Sequence, residues 1–110
     1  MDYRLKKEKD FNLVFNKGKR LYSNNLTVLY FASDCIKAGY AVSKKHGGSV
    51  KRNKIKRLLR ESFRSFTPDI RQNFFFVFIP TKKEEYSFEI FKKDMNYILK
   101  KGGFLAEELC

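Results

Sequence analysis

Histidine and cysteine, the residues that most often carry catalysis or hold a metal, are scarce in this sequence. Its two cysteines, Cys35 and Cys110, provide neither a disulfide framework nor the spacing of metal ligands. The single histidine, His46, lies in a glycine bend beside two lysines, without a neighbouring carboxylate to orient it. Such a histidine is typical of a surface position or a phosphate contact. We therefore expect no catalytic residue, no metal site and no cofactor bound by this chain itself.

Long apolar runs are also missing. No segment is long enough to cross a bilayer, and the first residues, MDYRLKKEKD, lack the apolar core of a signal peptide. We therefore expect a cytoplasmic protein that does not associate with a membrane. A length of 110 residues fits one domain, residues 1–110, with loose ends at residues 1–9 and 104–110.

Acidic residues are few in relation to basic ones. The chain carries 24 Lys and Arg against 12 Asp and Glu, for a net charge of +12, yet 43% of its residues are hydrophobic. The hydrophobic fraction supports a folded core, whereas the charge opposes compactness by self-repulsion and so calls for an anionic partner. On charge alone, nucleic acid is the first expectation and a membrane surface the second, and of these two partners we predict nucleic acid.

The positive charge is concentrated between Ala41 and Arg64, which hold nine of the 24 basic residues. After the bend at Gly47 and Gly48, a helix is predicted from about Ser49. At about 100° per residue, one side of this helix is apolar. The opposite side carries six polar or basic residues, which we call the basic wedge: Arg52, Asn53, Lys56, Arg57, Arg60 and Arg64. Because a helix N-terminus already attracts anions, cations added there predict a phosphate-binding surface rather than a merely solvated face.

The remaining pattern predicts an α+β fold. Strand-forming residues at Leu26–Ala32 are followed by a turn and by Ile36–Ser43, which we expect to pair with them in antiparallel fashion. A run that is apolar on both faces, Asn73–Ile79, predicts a central strand. Helices are expected from Asp10 to Gly18 and from Ser87 to Gly102, on either side of these strands and of the basic helix. A short further strand is expected near residue 21, which gives the order α-β-β-β-α-β-α and a two-layer sandwich.

Two features near the first helix point to binding. Phe11 and Phe15 share one helical face, which is usual for core residues, but the cations around them make stacking on unpaired bases an alternative. In the strand Ile36–Ser43, Gly39 and Ala41 leave one face small, so that a helix or a ligand can approach closely.

The central stretch closely resembles the "RNR" signature of the bacterial ribonuclease P protein subunit. The matching residues are Ser43-Lys44-Lys45, Val50, Arg52-Asn53, Lys56-Arg57 and Arg60-Glu61. Upstream, DFNLVFNKGKR is similar to the family's D-F-x-x-V-F-x-x-G segment, and LTVLYF is similar to its second strand. Three blocks in the same order extend the resemblance over nearly the whole chain. The turn at residues 46–49 departs from the family sequence, and Ser49 there predicts a helix cap.

The resemblance implies a monomeric protein that works with a large catalytic RNA. That RNA, with bound Mg²⁺, would hold the active site of an endoribonuclease that removes the 5′ leader from precursor tRNA. The basic wedge would bind the catalytic RNA, and a cleft beside the first helix would bind the leader through Lys7, Phe11, Phe15, Tyr30 and Lys45. The implied fold is a four-stranded mixed sheet with about three helices and a left-handed crossover, through the basic helix, between parallel strands.

Two alternatives remain at this stage. A structural RNA-binding protein, such as a ribosomal protein of related fold, would explain the charge but not the ordered signature. A nuclease that needs no RNA is the more distant alternative, because the chain lacks a recognisable catalytic constellation.

Overall fold

Three helices and four strands account for most of residues 3–83 and 85–105, the part of the chain that the computed structural model describes. In chain order they are α1 (Glu8–Lys17), β1 (Lys19–Tyr22), β2 (Leu26–Ala32), β3 (Lys37–Tyr40), α2 (Ser49–Arg64), β4 (Phe74–Pro80) and α3 (Phe88–Lys101). Short 3-10 helices follow β3, at Lys44–His46, and α2, at Thr67–Asp69. The predicted α+β class and the order of its elements are confirmed.

The sheet has the strand order β1-β2-β4-β3, with β4 in the interior as predicted. Strand β4 pairs antiparallel with β2 and parallel with β3, which places Val77 opposite both Leu29 and Gly39. The predicted antiparallel pairing of Ile36–Ser43 with β2 is therefore wrong. An interior position lets β4 bury both of its apolar faces, and it separates two strands that are neighbours in the sequence. The crossover from β3 to β4 passes through α2, and its hand stays a prediction.

The two faces of the sheet are covered unequally. Helices α2 and α3 cover one face, where Val28, Phe76 and Phe78 pack with Phe63 and Met95. On the other face, α1 is the only helical cover within the described residues, and the smaller core there contains Leu5, Val14, Leu29, Phe75 and Val77. The sheet and the α2–α3 pair are the two layers of the sandwich, and α1 leaves part of the opposite face accessible.

Both chain ends are packed where the structure describes them, contrary to the expectation of loose ends. Leu5 is only 5% exposed, and its N–H donates to the carbonyl oxygen of Ala38 in β3 at 2.9 Å. Phe104 is 1% exposed. The edge of β3 presents unpaired backbone groups, and a short polar segment can satisfy them without any periodic signal in its sequence. Residues 1–2 and 106–110 lie outside the described residues.

Helix capping differs between the two long helices. The Ser87 hydroxyl accepts a hydrogen bond from the Ile90 N–H at 3.2 Å and caps α3. Ser49, predicted to cap α2, is instead its first residue, and Gly48 occupies the cap position without a side-chain hydrogen bond. The predicted start of α1 at Asp10 is also late, because that helix begins at Glu8.

Removing the α3 cap should destabilise the protein measurably. We expect Ser87→Ala to lower the free energy of unfolding by about 1 kcal/mol, because the Ile90 N–H loses its acceptor. The thermal midpoint should then fall by about 4–8 °C. Ser49→Ala is the matched control, since it makes the same change at a helix start without breaking a cap, and it should alter stability by less than about 0.5 kcal/mol. A larger loss in the control would contradict the assigned caps.

Candidate nucleic-acid interface

The basic helix has the two sides that its sequence predicts. Ile55, Leu59 and Phe63 are buried beneath it. On the outer side, Asn53, Arg57 and Arg64 are exposed. The other three wedge residues are half-buried, namely Arg52, Lys56 and Arg60. A period of 3.6 residues thus separates one face that packs on the sheet from another that meets solvent.

Most of the basic wedge lines one concave surface. Asn53, Lys56, Arg57 and Arg60 surround a groove of about 510 Å³ together with Val50 and Lys54. We call this surface the wedge groove. Arg64 lies one turn beyond Arg60 and lines a separate pocket with it. The structure therefore brings five of the six wedge residues into contact with these two adjoining concavities, and Arg52 lies outside both.

The guanidinium groups of the wedge have donors without protein partners. The Nε atoms of Arg52 and Arg60 are buried, and neither has a hydrogen-bond partner within the described part of the chain. No acidic residue is among the described residues that line the wedge groove. Buried donors are nearly always paired in folded proteins, so these two are left for an external acceptor, such as water or an anion. A phosphate oxygen has the charge and the geometry for this role.

His46 is buried rather than exposed, which corrects the expectation of a surface residue or phosphate contact. Only 3% of it is exposed, and its Nε2 donates to the carbonyl oxygen of Pro80, at the end of β4, at 2.9 Å. Its Nδ1 lies 3.2 Å from the carbonyl oxygen of Ser43. The parallel pairing of β3 with β4 brings Pro80 next to this bend. His46 thus attaches the start of the basic helix to the centre of the sheet.

The bend before α2 depends on one of its two glycines. Gly47 has φ of +125°, where other residues are strained, and a Cβ there would lie 2.8 Å from Cδ of Lys51. Gly48 has φ of −72°, and a Cβ there would meet no described atom within 4 Å. Residues 46–49 differ from the family sequence, yet the chain still bends there. Of the two glycines, only Gly47 is required by the backbone conformation.

Helix α1 presents one exposed and one packed aromatic ring. Phe15 is 39% exposed. Phe11 is half-buried and packs so closely over β3 that a Cβ on Gly39 would lie 2.4 Å from its Cζ. The small face expected on β3 therefore receives a helix side chain. Lys7 is exposed immediately before α1, and Lys45 is exposed in the 3-10 helix after β3.

Tyr30 lies on the opposite face of the sheet from Phe11 and Phe15. Its ring contacts Phe104 and Phe74 with centroid distances of 5.0 and 5.8 Å, under the α2–α3 layer. Alternation along β2 directs its neighbour Phe31 toward the α1 face instead, where it packs beside Leu29. The structure therefore does not bring Tyr30 into the cleft that the resemblance implies. Phe31 is the aromatic residue there that sequence reasoning missed, although the same alternation indicates it.

The described residues were also searched for metal sites, a reactive thiol and membrane-spanning helices. They contain no cluster of three or more His, Cys, Asp or Glu side chains placed to hold a metal ion. Burial raises the pKa of the Cys35 thiol, with a further rise from Asp34, which disfavours its reactive thiolate. None of the described helices combines the length and the apolar character that a membrane span requires.

Comparison with known proteins identifies the family. The sequence model of the family described as Ribonuclease P matches residues 1–103. The ribonuclease P protein component of Caldanaerobacter subterraneus subsp. tengcongensis is 40% identical, over 96% of this chain and 93% of that protein. That of Lactococcus lactis subsp. lactis is 37% identical, over 89% of this chain and 86% of its own.

Solved structures agree with the sequence comparison. The Staphylococcus aureus RNase P protein superposes with a TM-score of 0.83 at 28% identity, covering 96% of this chain and 99% of that one. The Thermotoga maritima RNase P protein gives a TM-score of 0.79 at 34% identity, covering 89% of this chain and 96% of that one. The chain therefore belongs to the ribonuclease P protein family, whose members are protein subunits of the endoribonuclease that matures the 5′ ends of tRNAs.

Proposed function

We propose that the basic wedge on α2 binds the catalytic RNA of ribonuclease P, while the α1 face binds the single-stranded 5′ leader of precursor tRNA. The observation that carries this proposal is the wedge groove. Among the described residues, the buried Nε of Arg60 at its border has no partner, and none of the residues that line the groove is acidic. Cations held in a concave surface contact phosphates without reading sequence, which suits a folded RNA.

The leader is assigned to α1 because the sheet beneath it is only partly covered. Phe15 and Phe31 offer aromatic surface, and Lys7 offers a cation at the start of the helix. Exposed aromatic rings stack on unpaired bases, and neighbouring cations neutralise the backbone. Mature tRNA lacks the leader and would not gain these contacts. Lys45 belongs to this proposal as an exposed cation after β3, and Tyr30 is left out of it.

The chain's residues assist a reaction whose active site we place in the RNA. Mg²⁺ bound by that RNA would supply the metal-ion chemistry. The 24 Lys and Arg side chains of the protein compete with metal ions for the task of neutralising closely packed phosphates. The protein should therefore lower the magnesium concentration that the holoenzyme needs. We further propose that it joins the RNA as a monomer, in the cytoplasm, where precursor tRNA is processed.

Reconstitution tests this function. The catalytic RNA and a precursor tRNA are incubated with and without the protein over a range of magnesium concentrations, and release of the leader is measured. We expect the protein to increase cleavage strongly at limiting magnesium and only slightly at saturating magnesium. Cleavage by the protein without RNA, or no effect of the protein at any magnesium concentration, would contradict the proposal.

A further inference from the structure

A second concavity lies beyond the wedge groove, at the C-terminal half of α2. It has a volume of about 530 Å³, within the range of pockets for small ligands. Its polar lining comes from three separate parts of the chain, namely Tyr3, Arg4, Tyr40, Arg60, Arg64 and Thr67, and Phe63 forms its apolar floor. Arg60 also lines the wedge groove, so the two concavities adjoin at this residue.

The charge of this pocket selects an anion. Three guanidinium groups line it, and no carboxylate is among its described lining residues. The carbonyl end of the α2 dipole opposes anion binding there, but it amounts to only about half a charge. Part of that end is already satisfied, since the Thr67 hydroxyl donates to the carbonyl oxygen of Arg64 at 2.9 Å. The half charge of the dipole is therefore smaller than the combined charge of Arg60 and Arg64.

Tyr40 adds a rigid neutral donor. Its ring stacks on Phe78 of the central strand with a centroid distance of 5.9 Å and an interplanar angle of 16°, which holds the side chain in place. Burial raises the pKa of the Tyr40 hydroxyl, against the opposing effect of Arg60 and Arg64. The hydroxyl therefore keeps its proton and can donate to a phosphate oxygen or to a base edge.

The aromatic wall of the pocket distinguishes its ligand from a simple anion. Tyr3 is half-buried at the rim and is held there by the backbone pairing of its segment with Ala38. A phenol ring beside guanidinium groups fits a base stacked next to its own phosphate. The pocket adjoins the wedge groove at Arg60, so an RNA bound in the groove lies next to it.

We infer that this pocket binds one unpaired nucleotide of the catalytic RNA, with its phosphate on Arg60 and Arg64 and its base beside Tyr3 and Tyr40. This inference rests on the proposed docking of α2 on that RNA, and it goes further by assigning a nucleotide site that includes Tyr3 and Tyr40, which lie outside the helix. The site anchors a single-stranded element, whereas the wedge groove is suited to the backbone of a folded RNA.

Three variants separate this inference from the docking proposal, with affinity for the catalytic RNA measured at several salt concentrations. Tyr40→Phe removes one hydroxyl and keeps the stacking on Phe78, and we expect about a tenfold loss of affinity with an unchanged salt slope. Arg57→Ala, in the wedge groove alone, should weaken binding and flatten the slope by about 0.7–0.9. Tyr97→Phe removes an exposed hydroxyl from α3 and should change neither.

The affinities of these variants test the nucleotide site and the docking proposal separately. If Tyr40→Phe binds like Tyr97→Phe while Arg57→Ala is weakened, the nucleotide site is refuted and the docking proposal stands. If Arg57→Ala is also unaffected, docking through α2 is itself refuted.

Adenosine 5′-monophosphate and inorganic phosphate are also titrated into the isotope-labelled wild-type protein, with the Thr67 amide followed by NMR. The nucleotide should saturate the signal at a lower concentration, and equal saturation by both would refute the role of the base.

Discussion

Replacing both Arg57 and Arg60 by alanine should weaken binding of the catalytic RNA by about 100-fold and flatten its salt dependence. Both side chains line the wedge groove, and the Nε of Arg60 is buried without a partner among the described residues. Losing two charge-assisted contacts at about 1.4 kcal/mol each corresponds to this factor. If the whole wedge neutralises about five phosphates, the log–log slope is about −3.5 to −4.5, and two fewer contacts should reduce it by about 1.4–1.8.

The matched control is the pair Lys93→Ala and Lys100→Ala on α3. It removes the same net charge from two exposed side chains outside the wedge. We expect the control to lose only the long-range attraction, which salt screens. Equal losses in the two pairs would show that net charge rather than the wedge groove determines affinity. Thermal unfolding of both proteins should stay close to that of the wild type, since all four side chains are exposed or half-buried.

Phe15→Ala should separate substrate binding from RNA docking. We expect the reconstituted holoenzyme to bind precursor tRNA more weakly by about 1–3 kcal/mol, because a base of the leader loses its stacking partner. Affinity for mature tRNA, which has no leader, should not change. Affinity of the protein for the catalytic RNA should also be retained, because α1 lies on the other face of the sheet from α2. The measurement is a titration of holoenzyme with both tRNAs under conditions that prevent cleavage.

Tyr97→Ala is the control for this prediction. Tyr97 is 54% exposed on α3, so the control truncates an exposed aromatic ring outside the α1 face. It should leave both affinities unchanged. An equal loss for precursor and mature tRNA in Phe15→Ala would show that Phe15 supports the fold or the RNA interface rather than the leader.

Some site residues were predictable because their role is local. The wedge follows from the 3.6-residue period of α2. The same period places Phe11 and Phe15 on one helical face, but only the structure shows that Phe11 packs over Gly39 while Phe15 is exposed. Tyr30 shows the limit of the resemblance. Tyr30 alternates with Leu26 and Val28 along β2 and shares their face, and α2 and α3, not α1, cover that face.

Contacts between distant segments were not predictable in the same way. The burial of His46 depends on Pro80, 34 residues further along the chain, and the two meet only because β3 and β4 run parallel. The packing of the N-terminal segment depends on the outer edge of β3, where Ala38 forms backbone hydrogen bonds with Tyr3 and Leu5. Backbone pairing is independent of side-chain type, so no residue pattern reports it.

Four properties were predictable from the amino-acid sequence: the elements, the interior position of β4, the two sides of the basic helix and the likeness to ribonuclease P proteins. The first three depend on composition and on periods of two or 3.6 residues, which act within one segment, whereas the likeness depends on the ordered signature blocks. Packing between segments, by contrast, sets the pairing partner of β3, the helices that cover the face of Tyr30, the burial of His46 and the pocket that unites Tyr3, Tyr40 and Arg64. Each of these depends on contacts between residues that are far apart in the sequence, and such contacts form only when the helices pack on the sheet.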